Sequence, residues 1–251
     1  MTNTAIVITL CNRPVYTSVV LGALEKCDGI DGLPVYMLCE PINEQVCDIA
    51  ASYEKKFPGI WHALKYRERV GCNINTAYAL TKGFSVADRV IALEDDTVPG
   101  RDFLKFCKWG LDKYADDKNV FSICGYQRTE FHELYRTSEV IRENWFTPWG
   151  WATWRDRWQS VEMGWPARDD QISWDTVIHR AKLGDRTEIR PIVGRIRNIG
   201  AHAGTHVPNA EWHKRYHFNE HWIETTNSPC VGIYHEVPAD TTASLRRNHP
   251  C

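Results

Sequence analysis

The sequence predicts an α/β protein in which helices flank a mostly parallel β-sheet. The first half alternates short apolar runs, rich in β-branched and aromatic residues, with longer segments of helical periodicity. The chain has 251 residues, of which 43% are hydrophobic and 25% are charged, so it can bury a sizeable core and is not disordered. No apolar run is long enough to span a membrane, and the first residues do not resemble a secretory signal. These features predict a soluble globular protein.

Strands and helices alternate along the first half. The strands are predicted at Thr4–Leu10, Pro34–Glu40, His62–Tyr66, Arg89–Leu93 and Val120–Cys124, and the helices at Val15–Lys26, Asn43–Phe57, Cys72–Phe84 and Asp102–Tyr114. In the third helix, Ile74, Ala77, Tyr78 and Thr81 follow the i, i+3, i+4, i+7 spacing, and we expect this face to pack on the sheet. Right-handed crossovers would make the sheet parallel and place ligands beyond the carboxyl ends of its strands.

The pattern becomes less regular after residue 125. Polar and aromatic loops lead to a helix predicted from Gln171 to Lys182, with Asp170 as its N-cap. Further strands are predicted at Glu188–Val193 and Val231–Tyr234. Because the chain has no internal repeat and no low-complexity linker, we interpret residues 1–251 as a single domain with a regular half, 1–125, and a less regular half, 126–251.

Cysteine usage and charge bear on location and partners. The nine cysteines are odd in number and include no CxxC pair or zinc-ribbon spacing, which favours reduced thiols in a cytoplasm-like compartment. The net charge is −2, but residues 176–251 are mildly basic and contain eight of the ten histidines. This basic third could attract phosphates, although it does not by itself identify a nucleic-acid-binding protein.

Tryptophan is unusually frequent and unevenly distributed. Seven of the eleven tryptophans fall between Trp145 and Trp174. Aromatic faces stack on sugars and nucleobases, so this segment is a candidate carbohydrate-binding surface, with Trp149 and Trp151 as the predicted ligand contacts. The alternative is structural, because Trp151, Trp154 and Trp158 have helical spacing and could pack the two halves of the protein together.

Three consecutive carboxylates, Glu94, Asp95 and Asp96, follow the predicted strand that ends at Leu93. Their mutual repulsion at the end of a buried strand favours a bound cation, and hard ions such as Mg²⁺ or Mn²⁺ prefer carboxylate oxygens and accept substrate phosphates as further ligands. The alternative is a solvated turn whose acids interact with the dipole of the following helix. The first interpretation predicts a substrate that carries a diphosphate.

This strand, its Glu-Asp-Asp triplet and the aromatic-rich helix after it resemble the metal-binding motif of GT-A glycosyltransferases, most closely that of the N-acetylglucosaminyltransferase I family. The segment 11–14 is similar to the arginine-containing nucleotide loop of that family, and the strand ending at Glu40 matches one that ends in a nucleoside-binding acid. The Gly-Trp pair at 150–151 resembles its acceptor-side segment, and Ser173-Trp174-Asp175 its Trp-Asp segment. The resemblance runs in order over about residues 4–206, and it implies a Rossmann-like GT-A sheet.

The resemblance also implies roles for the donor-side residues. Asp96 would bind Mn²⁺ or Mg²⁺ directly, while Glu94 and Asp95 would contact ribose, sugar or metal-bound water. Arg13 would neutralise a phosphate, and Glu40 would hold the uracil or ribose. The residues alone leave alternatives open, since Arg13 could be solvated on a surface loop and Glu40 could belong to a turn.

Asp175 is the candidate general base. An inverting transfer needs a group that takes the proton from the acceptor hydroxyl. Asp169 and Asp170 are rivals, and an acid in the first turn of a helix could simply interact with the helix dipole. The resemblance further points to His206 as a contact of the metal or diphosphate, and Arg195 or Arg197 could neutralise the leaving group.

Together these features predict a metal-dependent glycosyltransferase that moves a sugar from a nucleoside-diphosphate donor, with UDP as the expected nucleotide, to an acceptor hydroxyl with inversion. Residues 1–125 would bind the nucleotide-sugar and 126–251 the acceptor, in a bacterial or viral cytoplasmic enzyme. Two alternatives remain at this stage. One is a phage-type enzyme that glycosylates hydroxymethylated bases in DNA, suggested by the basic last third and the aromatic cluster. The other is a carbohydrate-binding protein without catalysis.

Overall fold

The computed structural model describes residues 4–128, 138–166, 172–179, 184–202, 211 and 234–238. The strands are β1 (Thr4–Leu10), β2 (Val35–Cys39), β3 (Trp61–Lys65), β4 (Arg89–Glu94), β5 (Thr97–Pro99), β6 (Val120–Cys124), β7 (Glu139–Glu143), β8 (Trp151–Trp154), β9 (Thr187–Pro191), β10 (Ile196–Asn198) and β11 (His235–Glu236). The helices are α1 (Pro14–Leu24), α2 (Glu44–Lys56), α3 (Cys72–Val86), α4 (Phe103–Lys113), α5 (Arg155–Glu162) and α6 (Trp174–Val177), and a 3₁₀ turn covers Gly200–His202.

One large sheet has the strand order β11-β7-β9-β6-β8-β4-β1-β2-β3, and β10 pairs with β5 beside it. The strands β3, β2, β1 and β4 are mutually parallel. β8 runs antiparallel to both β4 and β6, so β6 has the same direction as β4. The carboxyl ends of β1, β2, β4 and β6 therefore meet at one edge, as the predicted α/β sheet requires.

The central parallel strands β1, β2 and β4 are mostly apolar and buried because both faces of the sheet are covered there. In β1, Ile6, Ile8 and Leu10 have no exposed surface. α3 packs on β1 and β4. A Cβ atom on Gly83 of this helix would lie 2.7 Å from Val90 Cγ2 and 2.9 Å from a methyl group of β1, so the helix approaches the sheet through its glycine.

The predicted packing face of α3 is wrong. Tyr78 is 52% exposed and Thr81 is also exposed, whereas Leu80, Gly83 and Phe84 are buried. The helical spacing of 74, 77, 78 and 81 is real, but the small residues on the other side permit a closer approach to the sheet.

The second half differs more from expectation. Trp151–Trp154 forms the strand β8 inside the sheet, so the helical interpretation of Trp151 and Trp154 is wrong. In place of the predicted helix 171–182, the described residues contain the short helix Trp174–Val177, which Ser173 precedes as N-cap. The predicted strand 188–193 corresponds to β9. Residues 231–233 lie outside the described chain, and a two-residue strand follows at His235–Glu236.

Arg195 is part of a buried ion pair. Its side chain is 2% exposed, and its Nε donates to Asp102 Oδ2 at 2.8 Å, while Tyr234 donates its hydroxyl to the same oxygen at 3.3 Å. This ion pair joins the start of α4 to the segment before β10, which corrects the prediction that Arg195 could neutralise the leaving diphosphate.

In the described part of the chain, no helix is long and apolar enough to cross a membrane.

Candidate active site

A cavity of about 420 Å³ opens where the carboxyl ends of β1, β2 and β4 meet the turn before β8. Its walls include the residues predicted from the sequence as donor, metal, acceptor and base positions, namely Arg13, Glu40, Glu94, Asp95, Asp96, Trp149 and Asp175. Trp151 does not line it, and His206, Asp169 and Asp170 lie outside the described residues. The fold thus brings together side chains that are far apart in sequence.

Arg13 links two of the carboxylates. Its Nη1 donates to Asp96 Oδ2 at 2.7 Å, and its Nη2 donates to Asp95 Oδ1. Asp95 also accepts a hydrogen bond from the backbone N–H of Cys11 at 3.2 Å. Burial alone would lower the pKa of Arg13, but Asp96 and Asp95 outweigh this effect and raise it. The guanidinium therefore remains charged between the two acids.

The acids outnumber this cation. Burial raises the pKa of Asp95 to about 6, although Arg13 counteracts it. Burial, and then the negative charge of Asp96, raises the pKa of Glu94 well above its usual value, and Asp175 adds to this effect. Both shifts have the same physical origin, which is negative charge held out of water with too little positive charge nearby.

This charge imbalance and the oxygen donors fit a hard divalent cation. Among the described residues, however, no group of three or more His, Cys, Asp or Glu side chains has the arrangement of a formed metal site. Asp96 instead faces Arg13 and, at 3.5 Å, the amide Nδ2 of Asn198. A Cβ atom on Gly200 would lie 2.5 Å from Asp96 Oδ2, so the chain returning after β10 packs directly against this carboxylate.

Glu40 organises the loop that forms another wall. The side chain is buried, and its Oε2 and Oε1 accept hydrogen bonds from the backbone N–H groups of Val70 at 3.1 Å and Gly71 at 2.8 Å. Gly71 has a φ of +85° and precedes the first residue of α3, a conformation that favours glycine. Glu40 thereby fixes the approach of this loop to the cavity, and its contact with a nucleoside stays a prediction.

Asp175 lies in the first turn of α6 and is half-buried. Its Oδ1 accepts hydrogen bonds from the backbone N–H of Thr176 at 2.8 Å and from the hydroxyl of Ser173. Within the described residues, Oδ2 accepts no hydrogen bond. One carboxylate oxygen is thus used to orient the side chain, and the other is open to a ligand.

Asn73 anchors the segment that carries Asp175. Its Oδ1 accepts from the backbone N–H of Trp174 at 3.0 Å, and its Nδ2 donates to the carbonyl of Ile172 at 3.3 Å. Its own carbonyl accepts from Trp165 Nε1 at 2.7 Å. The first turn of α3 therefore fixes the backbone on both sides of Ser173. Sequence reasoning missed Asn73 because a helical asparagine has no distinctive local pattern.

The two tryptophans predicted to contact ligand have different environments. Trp149 is half-buried on the cavity wall, with its ring 4.8 Å from Tyr126 in an edge-on contact. Trp151 is 1% exposed and packs against Phe146 at 4.9 Å and Trp174 at 6.1 Å. β8 therefore places the Trp151 side chain in the core, which corrects the prediction that it contacts the acceptor directly.

Several cavity residues were not predicted from the sequence. These are Thr9, Leu10, Cys11, Arg69, Gly71, Cys72, Asn75, Pro148, Ser173, Trp174, Thr176 and Asn198. Cys11 could have been found, because it lies in the same loop as Arg13 at the end of the first strand. Asn198 reaches the cavity through the pairing of β10 with β5, which gives no local sequence signal.

No protein-family model matches the sequence, and no curated protein matches it. Solved structures match its fold. The mannosyltransferase PcManGT from Pyrobaculum calidifontis, in complex with GDP-Man and Mn²⁺, is 17% identical with a TM-score of 0.53, over 75% of this chain and 54% of that one. GalNAc-T7 with UDP, GalNAc and Mn²⁺ is 10% identical with a TM-score of 0.59, over 78% of this chain and 43% of that one. Residues 1–349 of S. aureus TarS are 12% identical with a TM-score of 0.56, over 78% of this chain and 59% of that one.

This chain therefore spans between 43% and 59% of those three neighbours. At such low identities the likeness bears on the fold alone. The closer resemblance to the N-acetylglucosaminyltransferase I family is not confirmed by it. The strand order, the cavity at the carboxyl ends and the structural neighbours agree on one conclusion, which is that the chain has the GT-A glycosyltransferase fold.

Proposed function

We propose that the protein is a metal-dependent glycosyltransferase that moves a sugar from a nucleoside-diphosphate donor to an acceptor hydroxyl. We expect UDP as the nucleotide and inversion of configuration at the anomeric carbon. The observation that carries the proposal is the convergence of Arg13, three adjacent carboxylates and Asp175 around one cavity. Neighbours of the same fold in complex with GDP-Man and Mn²⁺, or with UDP, GalNAc and Mn²⁺, support this assignment.

The donor side would be formed by the acids and Arg13. Asp96, with Glu94 and Asp95, would hold Mn²⁺ or Mg²⁺, which when bound offsets negative charge on the diphosphate leaving group. Arg13, already charged and mostly buried, would contact a phosphate oxygen as the nucleotide enters. Glu40 would keep the 70–71 backbone in place beside the nucleoside.

The acceptor side would be formed by Asp175 and Trp149. The acceptor hydroxyl oxygen forms a bond to the anomeric carbon while the bond from that carbon to the diphosphate oxygen breaks. Asp175 takes the hydroxyl proton on Oδ2, the oxygen that accepts no hydrogen bond from the described residues. Trp149 offers an aromatic face at the cavity wall for stacking on a sugar ring.

Release of UDP from a panel of UDP-sugars, measured with Mn²⁺ and again with EDTA, tests the donor side. We expect Asp96→Asn to reduce the rate by about 100-fold or more, because the negative charge that attracts the cation is lost. Asp116→Asn, an exposed acid outside the cavity, is the matched control and should keep the wild-type rate. Metal-independent release that Asp96→Asn leaves unchanged would contradict the proposal.

The acceptor side needs a separate test. Asp175→Asn should retain UDP binding and lose about 100-fold or more in sugar transfer, since general-base catalysis contributes on that scale. Wild-type transfer by this variant would remove Asp175 as the base. The DNA-directed and binding-only alternatives have no comparable supporting observation in the described residues.

A further inference from the structure

An arginine and a tryptophan that do not line the cavity are in cation–π contact near its acceptor-side residues. Arg128 follows the carboxyl end of β6, and Trp145 follows β7. The guanidinium carbon of Arg128 lies 4.5 Å from the centre of the Trp145 ring, and Trp145 is 45% exposed. A guanidinium over an indole ring keeps N–H donors that the ring does not use, and an anion can accept hydrogen bonds from them.

The charge of Arg128 is not offset by an ion pair within the described residues. The nearby Arg190 is different, because it is 1% exposed and forms ion pairs with Glu143 and Glu188 at 2.8 Å each. These two acids are thus already paired. Burial, and then the positive charge of Arg190, lowers the pKa of Arg128, which is the opposite of the shift at Arg13. Arg128 therefore has a second cation nearby, and the acids closest to it are already paired with that cation.

Contacts connect this pair with the cavity. Tyr126, two residues before Arg128, touches Trp149 on the cavity wall, with 4.8 Å between ring centres. On the other side, the ring of His179 lies 4.0 Å from that of Trp145 and is four residues beyond Asp175. The arginine and tryptophan thus lie between the two elements that carry the cavity tryptophan and the proposed base.

We propose that Arg128 and Trp145 form a subsite for an oxyanion, a phosphate or carboxylate, carried by the sugar acceptor. The guanidinium binds the two oxygens of such a group in a bidentate manner, and the exposed edge of the Trp145 indole packs against the adjoining sugar ring. That this sugar is the acceptor rests on the proposed function, whereas the preference for an anionic sugar does not. The nucleotide-sugar donor would have its own cation in Arg13, which lines the cavity.

The subsite is tested by binding of three methyl glucosides to the protein, with and without UDP and Mn²⁺ in the cavity. Calorimetry compares the 6-phosphate, the 6-carboxylate and the neutral sugar. We expect one or both anionic sugars to bind at least about tenfold more tightly than the neutral one, and the two arms show which oxyanion is preferred. Equal affinity for all three would overturn the proposal.

Variants assign the preference to this pair. Arg128→Gln should abolish the preference for the anionic sugar, and Arg128→Lys should keep part of it, because a lysine retains the charge but not the planar fork. Arg101→Gln, an exposed arginine paired with Asp28, is the control and should leave it unchanged. An anion preference that survives in both Arg128 variants would overturn the proposal.

Failure of the subsite and failure of the proposed function give different results. If wild-type protein binds no UDP with Mn²⁺, the donor assignment is wrong, while the anionic and neutral sugars can still be compared between wild type and Arg128→Gln. If UDP binds but the sugars do not differ, the subsite is wrong and the donor assignment stands. If each variant keeps the wild-type Tm, a lost preference for the anionic sugar does not result from misfolding.

Discussion

Arg13 joins Asp95 and Asp96 because a guanidinium is a planar fork with two terminal nitrogens, each of which can bind a different carboxylate. A lysine would offer one nitrogen and could not span both acids in the same way. The position next to the first strand makes the pair possible, since Cys11 N–H binds Asp95 from the same loop. A short loop thus supplies both a backbone donor and a cation to the two acids that follow β4.

The cysteines differ in accessibility. Cys72 is exposed and lines the cavity, whereas burial raises the pKa values of the thiols of Cys27 and Cys39 to about 12. We predict that iodoacetamide at pH 8 modifies Cys72 before the other two, as thiolate is the reactive form. UDP with Mn²⁺ should slow labelling of Cys72. Peptide mass spectrometry measures both effects, and equal labelling of all three thiols would contradict them.

Among the secondary-structure elements, α3 has two functions in the fold. Its first turn holds the segment 172–174 through Asn73, and its last turns pack on β1 and β4. The position of the proposed base is therefore tied to the parallel sheet through a single helix. We infer that Asn73 is a positioning residue for Asp175.

Asn73→Ala is expected to lower kcat by about ten- to a hundredfold with little change in the KM for the donor, because misplacing a reacting group has effects of this size. Asn73→Asp keeps an acceptor for Trp174 N–H and should recover part of the loss. Asn144→Ala, at an exposed site, is the control. Equal changes in kcat and donor KM would indicate a general structural defect instead of a positioning role.

The packing of α3 gives a prediction about stability. Gly83→Ala places a Cβ atom within 3 Å of side chains on β1 and β4. We therefore expect it to lower the free energy of unfolding by about 1–3 kcal/mol. Gly22→Ala in α1 is the matched control, since its Cβ would be 3.6 Å from the Tyr53 hydroxyl and alanine favours a helix. Denaturant titration measures both. A neutral Gly83→Ala would show that the helix can shift without loss.

The elements of the first half were predictable because each strand is a continuous apolar run and each helix fills the interval between two runs. β8 was not predictable, because Trp151, Trp154 and Trp158 have helical spacing. Residues 151–154 form a strand because they pair with β4 and β6, and this pairing leaves no local pattern in the sequence. The face of α3 was misjudged for a related reason. Periodicity identifies a helix but not which side a sheet will accept.

For the molecule as a whole, the cavity could be anticipated where charged residues follow apolar strands, as at Arg13, Glu40 and the acids of β4. It could not be anticipated where distant segments cross the same edge. Asn198 arrives through β10, and Asn73 holds the segment before Asp175 through hydrogen bonds to residues about one hundred positions away. Such contacts depend on the three-dimensional path of the chain.

Ligand binding should affect the stability of the whole chain. Mn²⁺ and UDP together are expected to raise Tm more than either alone, because each offsets charge that the other would leave uncompensated. A ligand present at 100 times its Kd increases the free energy of unfolding by about 2.7 kcal/mol. Thermal unfolding measures this effect. Asp96→Asn should lose the contribution of Mn²⁺, and a variant that keeps the full joint effect would contradict the assignment of that acid.

The antiparallel insertion of β8 has a consequence for how the chain folds during synthesis. β4 and β6 do not pair with each other, and residues 151–154 enter the sheet between them and pair with both. On the ribosome, β1 to β4 can pair early, while the free side of β4 stays open as an edge that another chain could join. A nascent chain stalled before β8 would therefore be prone to aggregation, and release of a chain that includes β8 would remove that hazard.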